Sequence, residues 1–442
     1  MKGLIFTYLL CYGGSVVALF NPFVGLLVYV VFAILKPEAL WEWSFAGAGS
    51  FSRTIAVALL LGWALQGFGN WRLRNAGGIV VAFVGLWSWS VLSAIGARDP
   101  GVAWNFVEGM AKVLLPFLAG VTLIRSPNQL RQLIWTIVLC QGYLAFEFNR
   151  SYYSGFNVVT TLGFAGLDNN SVSIGMVTGA GLAFFLGTAT DVWWQKLVAF
   201  GSSLLMCHVV LFAFSRGGML ALLVLGIVSF ALIPWRPRHL AVLAFAALLA
   251  VRLAGPEVRE RFATAFVEGE ERDFAAQSRL DLWANCWDVM LKNPMIGIGP
   301  DHFPLVAPEY GWPLGKEAHT LWLQLGAELG FPGLFFIVLF YGLCVVRLWP
   351  LARGSTQTED PWARDTARMV IAGLSGFAVA AQFVSLEGLE TPYYVVLVGA
   401  GVLKLVSASE TTSPARAPAG ETPLYNGLWL KWHSHATAGR RL

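Results

Sequence analysis

The hydrophobic positions of this chain gather into long runs divided by short polar breaks. The runs fall at about 3–20, 22–36, 53–69, 77–96, 103–124, 129–148, 171–187, 197–214, 217–234, 239–254, 333–349, 366–386 and 391–407. Most approach the roughly 20 residues that a helix needs to cross the ~30 Å hydrocarbon layer of a bilayer. Backbone groups in lipid must find partners within their own segment, so these runs are expected to be helices. They are evenly apolar and lack the period-two alternation of an outer-membrane barrel. The pattern predicts an all-α polytopic membrane protein of about 12–13 transmembrane helices. It divides the chain into an N-terminal helix bundle (1–254), a large polar loop with amphipathic helices (255–332), C-terminal membrane helices (333–407) and a tail (408–442). The tail is rich in Ser, Thr, Pro and Ala and is expected to be disordered and cytoplasmic.

Composition agrees with this class. Of 442 residues, 56% are hydrophobic and 13% charged, against about 25% charged in a soluble domain. The net charge of +4 says more by position than by sum. Arg72 and Arg74, Arg125 and Arg131, Lys196, Arg236 and Arg238, and Arg347 and Arg353 fall on alternate loops. One orientation therefore makes all of these loops cytoplasmic. It puts 97–102, 149–170, the Ser215–Arg216 corner, 255–332 and 387–391 outside. Counting back, the N-terminus is outside if both early runs span, and inside if one of them is interfacial or re-entrant. The N-terminal run resembles a signal peptide only superficially, because a second run follows at once without a convincing cleavage site. Trp71, Trp193, Trp194, Trp235 and Trp349 lie at run ends, as interfacial belts do. The five cysteines have no CxxC or metal spacing and read as small core residues.

Ionisable residues near the membrane are costly and are functional candidates by default. Arg216 lies in FSRGG, between a polar Ser215 and two glycines that open a fresh apolar run. A guanidinium there can anchor at the interface, the commoner role from position alone, or hold phosphate oxygens in a bidentate grip. Arg279, Trp283, Trp287 and Met290 recur at helical spacing, which predicts an amphipathic helix near the membrane surface. Its tryptophans suit either an interface or a sugar ring. NPMIGIGPDHF, ending with His302, is rich in turn formers and is expected to fold back as a loop. His319 begins the next helical stretch, and a histidine near neutral pH suits general-base work as well as capping. Glu328 follows and reads as structural. Asp168, Asn169 and Asn170 at the start of another run suit helix capping or a substrate hydroxyl. Arg150, in FEFNR, suits an ion pair or a pyrophosphate contact. There is no HExxH, P-loop, GxSxG or DxD-type carboxylate cluster. The two histidines of the outer face are too few for a zinc site. Neither a nucleic-acid partner nor a cofactor is expected.

Four motifs occur in a fixed order: SRGG at 215–218, the Arg279 helix, NPxxGxGxxxF at 293–303 and AHTLWLQLGAELGFPG at 318–333. Together they resemble the O-antigen ligase and polymerase superfamily of bacterial membrane glycosyltransferases, with Thr320 where the family usually has Asn. NPFVGLLVYVVFAILKPEALW near the N-terminus and LDNN at 167–170 resemble the exosortase-associated O-glycosylation ligase branch. The resemblance implies a multi-pass protein of the bacterial inner membrane whose active site faces the periplasm. It implies a glycan donor on undecaprenyl diphosphate and a lipid A–core, protein or glycan acceptor, with neither metal nor nucleotide sugar. It also implies roles: Arg216 and Arg279 for the diphosphate, His319 as the base for an inverting transfer, and Arg150 as a weaker phosphate contact. Asn169, Asn170, Trp283 and His302 are further substrate-binding candidates. Rival readings are a polymerase, a transporter of lipid-linked glycans and a non-catalytic scaffold.

Overall fold

The computed structural model describes residues 2–45, 51–233, 274–354, 360–385 and 388–412. These residues are helical, with no strand among them beyond an isolated bridge between Phe164 and Leu167. The long helices are α1 (Gly3–Phe20, with a π turn at Leu9–Gly13), α2 (Pro22–Leu35), α3 (Phe51–Leu65) and α4 (Gly77–Ile95). Next come α5 (Pro100–Leu123), α6 (Pro127–Tyr153), α7 (Asn169–Ala189), α8 (Trp193–Phe212) and α9 (Arg216–Leu232). The last four are α10 (Phe274–Lys292), α11 (Leu321–Arg353), α12 (Pro361–Ala380) and α13 (Glu390–Thr412). Seven described helices are long and apolar enough to cross a membrane, and α2, α3 and α9 are shorter apolar helices. The more polar α6 and α12 run beside them, packed on α8 and α7 respectively. The expected span at 239–254, the start of the polar loop and the tail from 413 lie outside the described residues.

Local chemistry explains where the helices begin. Asp99, Ser126, Asp168 and Ser215 each stand just before a helix, and their side-chain oxygens accept from backbone N–H groups of its first turn. Such caps satisfy donors that the helix itself leaves orphaned. The centre of the bundle is α7 and α13, whose apolar windows are 83% and 89% buried, against 17% for α1. A helix buried on all sides needs no polar stripe, so these two read as uniformly apolar.

The helices alternate between two ends of the bundle. The starts of α5, α7, α9, α11 and α13 and the ends of α4, α6, α8 and α12 share one end, called here the site end. α1 and α2 form a full hairpin about Asn21, with Gly14 against Val28 and Gly25 against Ala18. Gln66 Nε2 donates to Phe20 O, which puts the hairpin tip at the far end. The first turn of α1, where Gly3 packs on Trp41, is therefore at the site end.

The polar loop holds a small core of its own, in which α10 buries Leu282, Cys286 and Val289 against Phe303, Val306, Ala318 and Ala327. Of the Arg279, Trp283, Trp287 and Met290 line, Met290 is fully buried, Trp283 is partly buried and Trp287 is exposed. Leu282 and Cys286 are small enough to sit close under the loop, which leaves the larger rings at the edge.

Candidate functional site

Two reciprocal glycine contacts fix the loop on the bundle. α11 breaks at Gly330 (φ 69°, ψ −174°), where a Cβ would lie 2.5 Å from Met295 O. Gly297 (φ 73°) in turn lies so close to α11 that a Cβ would meet Glu328 O at 2.1 Å. Only glycine tolerates both the positive φ and the approach. This accounts for the pairing of the NPxxGxG and ELGFPG motifs. Phe331 N donates to Pro294 O at 2.9 Å and Gly299 N to Glu328 O at 3.0 Å.

The Glu328 side chain is fully buried and acts as a clasp. It accepts from Asp301 N (2.9 Å), Phe303 N (3.1 Å) and Gln324 Nε2 (3.2 Å). Gln324 Oε1 accepts from Ala318 N at 2.9 Å. One turn of α11 therefore holds both the 301–303 turn and the residue before His319. Glu328 has the structural role expected for it, and Gln324 shares that role.

His319 lies outside the helix it was expected to begin. It adopts a left-handed conformation (φ 54°), and α11 starts at Leu321 with Thr320 as its cap residue. Thr320 N donates to Ser385 Oγ at 3.1 Å and Leu321 N to Ala381 O at 2.9 Å. These bonds dock the histidine turn onto segment 381–385. The same segment carries Phe383, whose ring is tilted at 47° to that of Trp283 with centroids 6.3 Å apart, and which presses on Gly217, beside Arg216. Segment 381–385 is thus the junction that gathers Arg216, Trp283 and His319. Trp283 is one turn along α10 from Arg279. Its Nε1 and Thr320 Oγ1 are buried without a hydrogen-bond partner among the described residues. Polar groups left so are uncommon and leave donors for a ligand.

Each residue of SRGG has a local task. Ser215 Oγ accepts from Gly218 N at 3.1 Å and caps α9. Gly217 and Gly218 let Phe383 and Ser173 approach at distances that a side chain would block. Arg216 is then the first residue of the helix, where the peptide dipoles also favour an anion.

Charge around His319 comes from several elements. Its ring is pushed down to about 4 by burial, then by Lys316 and Arg279, against an opposing pull from Asp168. The imidazole is therefore neutral at physiological pH. Lys316 Nζ lies 3.3 Å from His319 Nε2. Burial pushes the Asp168 carboxyl up, but hydrogen bonds from Ser171 and Asn170 outweigh it and hold the group below its ordinary value. Burial, then Asp168 and Asp301, push the Glu317 carboxyl up. Burial also raises Asp301.

The remaining candidates separate. Asn169 Nδ2 donates to Ala213 O at 2.8 Å, tying α7 to the turn before α9, and Asn170 Nδ2 donates to Asp168 Oδ2 at 3.0 Å. The two amides support the site from within it. His302 is fully buried, with Nε2 accepting from Asp99 N at 2.9 Å and Nδ1–H donating to Pro300 O at 2.8 Å. Both ring nitrogens are thus engaged by the backbone, and His302 pins the loop to the turn before α5. Arg150 pairs with Glu147 at 2.7 Å. It lines a cleft of about 890 Å³ with Glu38, Glu42, Trp43 and Phe164, apart from the residues around His319. Lys316 is the charged neighbour of His319 that sequence reasoning passed over, although it was visible as a cation three residues before the histidine. Asp168 was read as a cap or a hydroxyl contact; it does cap α7, and its reach to His319 had no local signal.

Residues 201–338 match the family described as O-Antigen ligase. The match runs from α8 into the membrane arm of α11 and takes in Arg216, Arg279, Lys316, His319 and Glu328. The match supports a membrane glycosyltransferase of the ligase or polymerase type. No curated protein matches the chain.

Proposed function

We propose that this protein transfers a glycan from an undecaprenyl diphosphate carrier to an acceptor hydroxyl, at the periplasmic face of a bacterial inner membrane. The observation that carries the reading is a neutral, half-buried His319 within the electrostatic reach of Arg279, with Arg216 brought to the same junction through Phe383. A neutral imidazole can accept a proton, and fixed guanidinium groups can hold a diphosphate.

The steps balance without a cofactor. The acceptor oxygen attacks the anomeric carbon as its proton passes to His319. The bond from that carbon to the phosphate oxygen breaks, and its electron pair leaves on the carrier diphosphate. Arg216 and Arg279 meet the charge that develops there. Preorganised cations contribute most where charge grows in the transition state. Attack opposite the leaving group inverts the anomeric centre. The likeness of the N-terminal motif and LDNN to the exosortase-associated branch favours a protein acceptor over lipid A–core.

The test is the glycan remaining on the carrier in a deletion strain complemented with wild type or His319→Ala. Long assembled chains on the carrier, with a bare acceptor, support the ligase. Single repeat units make the protein a polymerase. Unchanged carrier and acceptor glycans in the deletion strain, or full transfer by a well-expressed His319→Ala protein, overturn the reading.

A further inference from the structure

The nitrogen that a base must offer is already in use. Lys316 Nζ stands 3.3 Å from His319 Nε2. An ammonium has only donors and a neutral imidazole nitrogen accepts, so the contact places a lysine proton on the lone pair that would take the acceptor's proton. We infer that Lys316 holds His319 closed in the donor-free enzyme and moves to the donor's diphosphate when it binds, which frees the base only once the leaving group is in place. The inference rests on the proposed transfer reaction.

Three observations support the exchange. First, the lysine sits on a turn rather than a helix. Gly315 before it has φ +84°, and Lys316 N donates to Pro313 O at 3.2 Å. Its four-carbon stem can redirect the ammonium without moving the backbone. Second, the backbone beneath His319 is held firmly from the other side, by Ala318 N on Gln324 and Thr320 N on Ser385. The ring therefore stays in place while the lysine leaves. Third, a diphosphate is a far stronger partner for an ammonium than a neutral ring nitrogen is, because both members of the new hydrogen bond are charged.

The charges facing His319 set the direction of the response. Lys316 on its own turn and Arg279 on α10 oppose protonation, and Asp168 at the start of α7 favours it. Segment 381–385 adds no ionisable group. A dianion placed between Arg279 and Lys316 cancels both opposing charges, so the ring becomes more basic as the donor binds. An empty enzyme would then leave acceptor hydroxyls and water alone. This order protects the carrier-linked glycan from loss to water.

The experiment uses the full-length protein in lipid nanodiscs, labelled with ¹³C-histidine. The His319 resonance is identified by its absence in His319→Gln. Its titration midpoint is read with and without farnesyl diphosphate, whose binding is measured separately by equilibrium dialysis. Saturating diphosphate should raise the midpoint by about one pH unit or more. Lys316→Met should raise it without ligand and shrink the response to diphosphate, while Lys316→Arg should keep the wild-type behaviour in the empty enzyme. If Lys316→Met fails to insert, Lys316→Gln carries the same expectation. Should farnesyl diphosphate bind to wild type and not to Arg279→Gln, yet leave the His319 midpoint where it was, the lysine exchange is wrong and the transferase reading stands. Failure of farnesyl diphosphate to bind at all, together with transfer by His319→Ala, removes both.

Discussion

The two ends of the bundle treat a buried cation in opposite ways. At the far end, Lys404 on α13 is 5% exposed and donates to Val121 O (2.6 Å), Ile124 O (3.1 Å), Asn70 O (3.2 Å) and Thr122 O (3.4 Å). The carbonyls of Val121, Thr122 and Ile124 close the C-terminus of α5, where helix geometry leaves acceptors unpaired and the dipole favours a cation. At the site end, cations gather around a neutral histidine, and Trp283 Nε1 and Thr320 Oγ1 have no hydrogen-bond partner among the described residues. Buried polar groups left so are uncommon. The contrast is between a cation whose partners are all backbone carbonyls and cations grouped around a titratable ring.

The sharpest way to break this comparison is to remove the base. His319→Ala should lower glycan transfer by about 10²–10⁴-fold, with the protein still inserting, as read by an in vitro transfer assay on matched amounts of purified enzyme. Arg216→Lys should follow, with a loss of about 10²–10³-fold in kcat, because a point charge cannot reproduce a bidentate grip. Near-normal rates would make Arg216 an interface anchor instead.

Glu328→Gln tests the support beneath the site. The amide has one acceptor oxygen where the carboxylate has two, so Asp301 N or Phe303 N would face an NH₂ group. We expect kcat/KM to fall about tenfold, in line with the ~1–3 kcal/mol cost of one orphaned buried donor. Restored activity in Glu328→Asp would be unexpected, since the shorter chain cannot reach both N–H groups. Lys404→Met should do the reverse of His319→Ala. Thermal stability should drop by about 1–3 kcal/mol as the carbonyls lose their donor, while activity per folded molecule holds. A catalytic defect without destabilisation would erase the distinction between the ends.

Acid should have the smallest effect. The His319 ring titrates below its unfolded value, so the unfolded chain binds the extra proton first as pH falls. Its contribution to stability is complete above about pH 6.5 and is lost as the pH falls toward the folded value of about 4. The denaturation midpoint of wild type should therefore fall relative to that of His319→Gln over that window.

Much of the architecture was legible because it depends on composition over long windows. The apolar runs gave the helices, since a bilayer allows no other way to satisfy that many backbone groups. The Asp, Ser and Asn residues ahead of those runs gave their starts, because capping is a local affair of three or four residues. That the first two runs fold as a closely packed hairpin was not legible; it depends on Gly14 and Gly25 packing against residues across the hairpin. Hydropathy alone also understates α6 and α12, whose polar residues find partners on neighbouring helices.

The site divides along the same line. Residue types and their order determined that this chain is a multi-pass membrane protein. SRGG, the Arg279 helix and the AHT motif were each readable as short local patterns. Only the tertiary structure decided which of these residues meet. Segment 381–385 joins the stretches that carry Arg216, Trp283 and His319, two backbone bonds engage the His302 ring, and Arg150 pairs with Glu147 beside a different cleft. The approach of Lys316 and Asp168 to His319 was decided in the same way. A side chain's chemistry is a property of its residue type, but whether it is free to act depends on what the fold has placed within about 3 Å of it.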